Sequence, residues 1–137
     1  MSTLKVDTIQ DTSGGNGFTP SSISNVSDGL VKKWVNFRGG NGNSTGINDS
    51  LGVSSITDNG TGHYFINFSA NFANINYCMT GTATEDLTNS GSRGEVVVAG
   101  DRTNHTVGQC RIFSQTTNGT ASPRNCGRVE MHFVGDT

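Results

Sequence analysis

Apolar and polar residues alternate with a period of two along much of this chain, most clearly within residues 47–69. On His63–Phe68, Tyr64, Ile66 and Phe68 fall on one face and His63, Phe65 and Asn67 on the other, the pattern of a half-buried β-strand. Just before it, Asp58-Asn59-Gly60 and Thr61-Gly62 supply residues that tolerate positive φ, so 47–69 is predicted as strand, tight turn, strand. On the outgoing strand Leu51 and Val53 share a face, whereas Ile56 has the opposite parity. A bulge or twist near Ser54-Ser55, or a switch of face, is therefore expected.

The same periodicity predicts strands at Ser21–Val26, Leu30–Phe37, Asn74–Gly81, Glu95–Ala99, His105–Ser114 and Arg128–Val134. In Leu30–Phe37, Val31, Lys33, Val35 and Phe37 lie on one face, and Leu30, Lys32, Trp34 and Asn36 on the other. With apolar residues on both faces, one side is expected in the core and the side bearing Trp34 against a second subunit or a ligand. A single Trp is more often a core or interface anchor than a sugar platform, so Trp34 is expected, with Leu4, Val6 and Ile9, at an interface between subunits. Ile75, Tyr77 and Met79 alternate; Val96, Val97 and Val98 fit a strand buried on both faces; Val107, Ile112 and Phe113 anchor the next strand. In the last strand Val129, Met131 and Phe133 point inward, with Glu130 and His132 outward. The polar stretches 39–46, 82–94 and 116–125 are predicted to be exposed loops.

Residues 3–10 alternate weakly, with Leu4 and Val6 opposite Lys5 and Asp7, and are followed by the flexible composition Thr12-Ser-Gly-Gly-Asn-Gly17. Residues 1–17 thus read as an arm that adds a strand to a neighbouring protein or subunit through Leu4, Val6 and Ile9, the ordinary alternative being a frayed terminus. Residues 18–137 form the domain.

Composition narrows the fold. Four Leu, five Ala, three Glu and three Lys stand against nineteen Gly, seventeen Thr, fifteen Ser and fifteen Asn, and no apolar i, i+3, i+4 stripe is sustained. An all-β chain is expected: one antiparallel β-sandwich of about eight short strands, jelly-roll-like, with an extended N-terminal arm. Leu, Ile, Val and Phe total 29 of 137 residues, a thin core that is easier to explain if copies of the chain bury apolar surface against one another.

Charge and chemistry exclude more than they assign. Nine basic against eleven acidic residues, with no basic run beyond Lys32-Lys33, leave no footprint for nucleic acid. No secretory h-region and no apolar run of membrane-spanning length occur, so synthesis in a cytoplasm without membrane insertion is expected. Cys78, Cys110 and Cys126 lack metal or redox spacing and read as small apolar groups; their redox state is left open. His63, His105 and His132 share no ligand spacing, and the Gly39–Gly46 loop lacks the helix or Walker lysine of a phosphate cradle, so neither metal nor cofactor is expected. The candidate acids Glu85, Asp86, Glu95, Asp101 and Glu130 lie beside turns or on outward positions, and no G-x-S-x-G elbow occurs. An enzyme is not expected.

Val53-Ser-Ser-Ile-Thr-Asp-Asn-Gly-Thr-Gly-His-Tyr-Phe-Ile-Asn-Phe68 resembles the C-terminal domains of tail fibres and related virion proteins of tailed bacteriophages, particularly marine ones. Lys33-Trp-Val-Asn-Phe37, Asn76-Tyr-Cys78 and Val134-Gly-Asp136 have counterparts there, and Ser2–Gly15 is similar to the start of many phage tail and fibre proteins. The resemblance implies a non-enzymatic virion structural protein, a tail fibre or surface knob that contributes to host attachment, with a capsid decoration or head-fibre protein as the alternative. It also implies a homotrimer assembled in the host cytoplasm, joined to other virion proteins by its arm, with exposed loops meeting a glycan or protein receptor. A depolymerase tailspike fragment would need a repetitive β-helix, and the chain has no such repeat.

Overall fold

The structure, a computed structural model, describes residues 29–40, 45–84, 96–116 and 122–137. The predicted arm at 1–17 and the predicted strand Ser21–Val26 lie outside the described residues, as do 41–44, 85–95 and 117–121.

The elements in order are β1 (Lys33–Arg38), β2 (Gly46–Leu51), β3 (Val53–Asp58), β4 (His63–Phe68), β5 (Cys78–Thr84), β6 (Val96–Asp101), a 3-10 turn (Arg102–Asn104), β7 (Gln109–Thr116), β8 (Ser122–Pro123) and β9 (Arg128–Val134). They form two antiparallel sheets, β2-β1-β9-β5 and β3-β4-β7-β6, with the short β8 added to β7. The all-β expectation holds. Alternate residues from each sheet meet in one core: Val35, Phe37, Val129, Met131 and Phe133 from the first, Tyr64, Ile66, Phe68, Cys110 and Ile112 from the second. Rings interlock across the layers, Phe37 edge-on to Tyr64 at 5.3 Å and Phe68 edge-on to Phe133 at 5.0 Å.

The predicted outgoing strand at 47–56 divides in two at Gly52. Its φ of +69° suits glycine and lets the chain leave the first sheet and enter the second. The pairing of β3 with β4 then shifts register between Val53 and Ser55, where the parity break called for a bulge.

Three expectations need correction. The strand foreseen at Asn74–Gly81 starts only at Cys78 and continues to Thr84, inside the stretch expected to be a loop. The Asn74 side chain accepts the Asn76 amide at 2.8 Å, an Asx turn that competes with pairing. Ile75 is left exposed, while Tyr77 turns inward, stacks on Phe72 at 4.3 Å and on His105 at 4.0 Å, and donates its hydroxyl to Thr106 O or Gln109 O. Next, Thr106 closes a turn with Gln109, so β7 begins there and not at His105. With that register Cys110 and Ile112 face the core and Phe113 faces out, half-buried. Finally, β1 begins at Lys33, and Leu30 and Val31 are exposed ahead of it, outside the core proposed for Val31. Lys33 is buried, its ammonium 4.5 Å from the centre of the Phe72 ring and its pKa lowered by burial. The last strand, Arg128–Val134, has the expected inward and outward residues.

Emptying the ring site between the layers by Phe133→Ala should cost about 3–5 kcal/mol in chemical denaturation. Exposed Thr80→Ala should stay within about 0.5 kcal/mol of the parent. Equal losses would contradict the face assignment.

Candidate ligand-binding face

The period of two that sends Val35 and Phe37 inward sends Trp34 and Asn36 to the outer face of β2-β1-β9-β5. Register builds two cross-strand rows there. One runs Leu51, Trp34, His132, Thr80; the other runs Asp49, Asn36, Glu130, Thr82. The pairing of β1 with β2 shifts beside Asn36, and the extra residue, Asn48, reaches the same face as Asp49.

Hydrogen bonds fix the second row. Asn48 Nδ2 donates to Asn36 Oδ1 at 2.8 Å, and Asn36 Nδ2 donates to Glu130 Oε1 at 2.9 Å. Thr82 Oγ1 lies 3.5 Å from Glu130 Oε2, and Arg128 Nη1 lies 3.8 Å from Glu130 Oε1. Each amide is thereby oriented by its neighbour and keeps further donor or acceptor capacity toward solvent. Trp34, half-buried, forms a wall of a shallow cleft of about 460 Å³ with Asn36, Arg38, Asn48, Asp49, Gly127 and Arg128. A smaller depression of about 250 Å³ on its other side is lined by Glu130 and His132. The cleft thus joins one aromatic plane to a set of fixed hydrogen-bonding groups.

One end of the cleft is held from beneath by Tyr64. This buried phenol on the opposite sheet donates to Gly39 O, just past β1, and lies 3.1 Å from Asn125 Oδ1. Asn125 Oδ1 also accepts the Gly62 amide at 2.7 Å. Backbone bonds from Gly39 N to Cys126 O, Ser114 N to Gly62 O and Arg124 N to Ser114 O complete the tie. Gly62 has φ +70°, and a Cβ there would come within 2.5 Å of Ser114 O. The segment 124–127 is so pinned against the end of β1, which brings Gly127 and Arg128 beside Arg38.

Of the residues singled out in the sequence, Trp34 lies on this outer face; Leu4, Val6 and Ile9 lie outside the described residues. The three histidines stay apart: His132 beside Trp34, His105 against Tyr77, and His63 on the outer face of the other sheet. Among the described residues no group of three or more His, Cys, Asp or Glu is placed to hold a metal ion. Cys78 is exposed, Cys110 and Cys126 are buried, and none forms a disulfide. Glu130 is outward as expected but tied to Asn36; the side chains of Glu85, Asp86, Glu95 and Asp101 lie outside the described set. No helix among the described residues is long and apolar enough to cross a membrane.

Sequence reasoning missed the Asn48–Asn36–Glu130 ladder, because it depends on a bulge in β2 and on which strand lies beside β1. It also missed the second outer face, where the Arg111 guanidinium lies 4.6 Å from the Phe113 ring centre and 5.7 Å from that of Phe65, with His63 Nδ1 at 3.1 Å. No protein-family model, curated protein or solved structure matches the chain.

Burial, and then the neighbouring Cys126, raise the Tyr64 pKa from 10.0 to about 12. Below pH 10 the phenol is neutral folded and unfolded, and its stabilisation is complete; between 10 and 12 only the unfolded chain ionises, so stability falls. Cys110, raised from 9.0 to about 12 by burial, adds its own alkaline loss. Urea denaturation from pH 8 to 11 should therefore show a decline that is shallower in Tyr64→Phe than in the parent. Parallel slopes would contradict the assigned burial of the phenol.

Proposed function

We propose that this chain is a non-enzymatic structural protein of a bacteriophage virion, a tail fibre or surface knob, which contributes to host attachment by binding a surface glycan on the outer face of β2-β1-β9-β5. The phage assignment rests on the sequence resemblance. The glycan reading rests on one observation: Trp34 stands beside the hydrogen-bonded row of Asn48, Asn36 and Glu130. A sugar ring has an apolar C–H face and a rim of hydroxyls. An indole plane covers the first, and pre-oriented amides and carboxylates pair with the second at little ordering cost.

Trp34 was expected at a subunit interface rather than as a sugar platform, and the glycan reading departs from that expectation. The polar surroundings of Trp34 favour the ligand, since subunit cores are depleted in charged residues. In this reading the homotrimer forms on the other outer face, where half-buried Phe65 and Phe113 are covered by subunits and Arg111 remains stacked between them. The arm at 1–17, with Leu4, Val6 and Ile9, joins a neighbouring virion protein, and the trimer assembles in the host cytoplasm. Jelly-roll kinship is loose in this scheme. It extends to two antiparallel four-stranded layers, while the hairpins β1-β2, β3-β4 and β6-β7 each stay within one sheet.

On an array of bacterial surface polysaccharides the protein should bind a subset, and Trp34→Ala should weaken that binding at least tenfold with an unchanged urea midpoint. Retained binding by Trp34→Ala would contradict the assignment of this face. Sedimentation equilibrium should give a trimer at micromolar concentration; a monomer would reject the trimer.

A further inference from the structure

We infer that the ligand of the Trp34 cleft is an acidic saccharide whose carboxylate is held between Arg38 and Arg128. The inference rests on the glycan reading above and specifies its chemistry. Phe37 pairs with Val129 across β1 and β9, so the next residues along, Arg38 and Arg128, come to the same end of the outer face, and both line the cleft. Extending that register by one residue sets them opposite each other, just past the end of the β1–β9 ladder. Like charges in facing positions on neighbouring strands repel, and an anion between them relieves the repulsion.

Neither guanidinium is committed elsewhere in a way that would remove it from a ligand. Arg128 makes a loose contact with Glu130, at 3.8 Å, and its side chain is 59% exposed. Among the described residues no carboxylate lies within ion-pair distance of Arg38, which is exposed. Arg38 and Arg128 offset Asp49 and the adjoining Glu130, so the cleft as a whole is neutral, and its positive charge is gathered at the Arg38/Arg128 end. The planar fork of guanidinium matches a carboxylate in bidentate geometry. With the acid group at the Arg38/Arg128 end, a pyranose ring attached to it would extend toward Trp34 over Asn36. Its hydroxyls would then face Asn48 and Asp49, which suits a sugar acid better than a simple anion.

The test uses the full chain and the fluorescence of Trp34, its single tryptophan. The probes are oligogalacturonate, hyaluronan oligosaccharide and sialyllactose, each titrated beside its carboxyl-reduced, neutral counterpart and beside inorganic phosphate at low salt. At least one acidic probe should bind tenfold or more tighter than its reduced form and more tightly than phosphate, with affinity falling as salt rises. The double variant Arg38→Gln, Arg128→Gln should lose that preference and keep the weaker neutral binding, which also shows that it is folded. Equal affinity for acidic and reduced forms would overturn the carboxylate inference and leave the glycan reading standing. A preference that survives in the double variant would overturn the arginine assignment. Phosphate binding as tight as the best saccharide would reduce the site to a simple anion site, and no binding by any acidic or neutral probe would overturn both readings.

Discussion

The hydroxyl of Tyr64 ties together parts of the molecule that the strand ladders alone leave separate. The side chain belongs to β4 in one sheet, is fully buried, and reaches the carbonyl of Gly39 at the end of β1 in the other. Burying a phenol without a partner would cost about 1–3 kcal/mol, so the bond and the closure of the sandwich at this end depend on each other. Through Asn125 the same point captures the Gly62 turn, and through Cys126 it fixes the approach to β9. The cleft has its shape because those segments meet: Arg38 leaves β1 just before Gly39, and Arg128 enters β9 just after Gly127. Packing inside and the shape of the cleft outside thus share one set of constraints.

The opposite end of the sandwich is held by rings. Phe68 lies edge-on to Phe72, Tyr77 and Phe133, and the Lys33 ammonium sits over Phe72. A chain with few aliphatic residues here obtains core volume from aromatic side chains and from the methylene stem of a lysine. The two outer faces then differ in character. One is a hydrogen-bonded row beside Trp34; the other stacks Arg111 on Phe113 and Phe65. That difference is the reason a ligand is proposed for the first and subunits for the second.

Much of this fold was legible in the sequence because strand parity is a local property. Tyr64/Ile66/Phe68 and Val129/Met131/Phe133 face inward as their alternation requires, and the parity break before Ile56 marks a real register shift. Errors arose where side chains compete with pairing. Asn74 and Thr106 satisfy backbone amides locally, and strands expected to begin near them begin later. The candidate site was legible only in Trp34. Nothing local says that β9 lies beside β1, and without that neighbour Asn36 and Glu130 are two unrelated polar residues 94 positions apart. Asn48 was harder still, since a bulge decides which face it reaches.

The proposed recognition surface is the outer face of β2-β1-β9-β5. Backbone and indole NMR shifts of labelled protein, followed during titration with a saccharide it binds, locate that surface most directly. Binding there should concentrate the changes at the Trp34 indole and at the amides of Asn36, Arg38, Asn48, Asp49 and Arg128. Changes concentrated instead around His63, Phe65, Arg111 and Phe113, with the Trp34 indole unmoved, would contradict it.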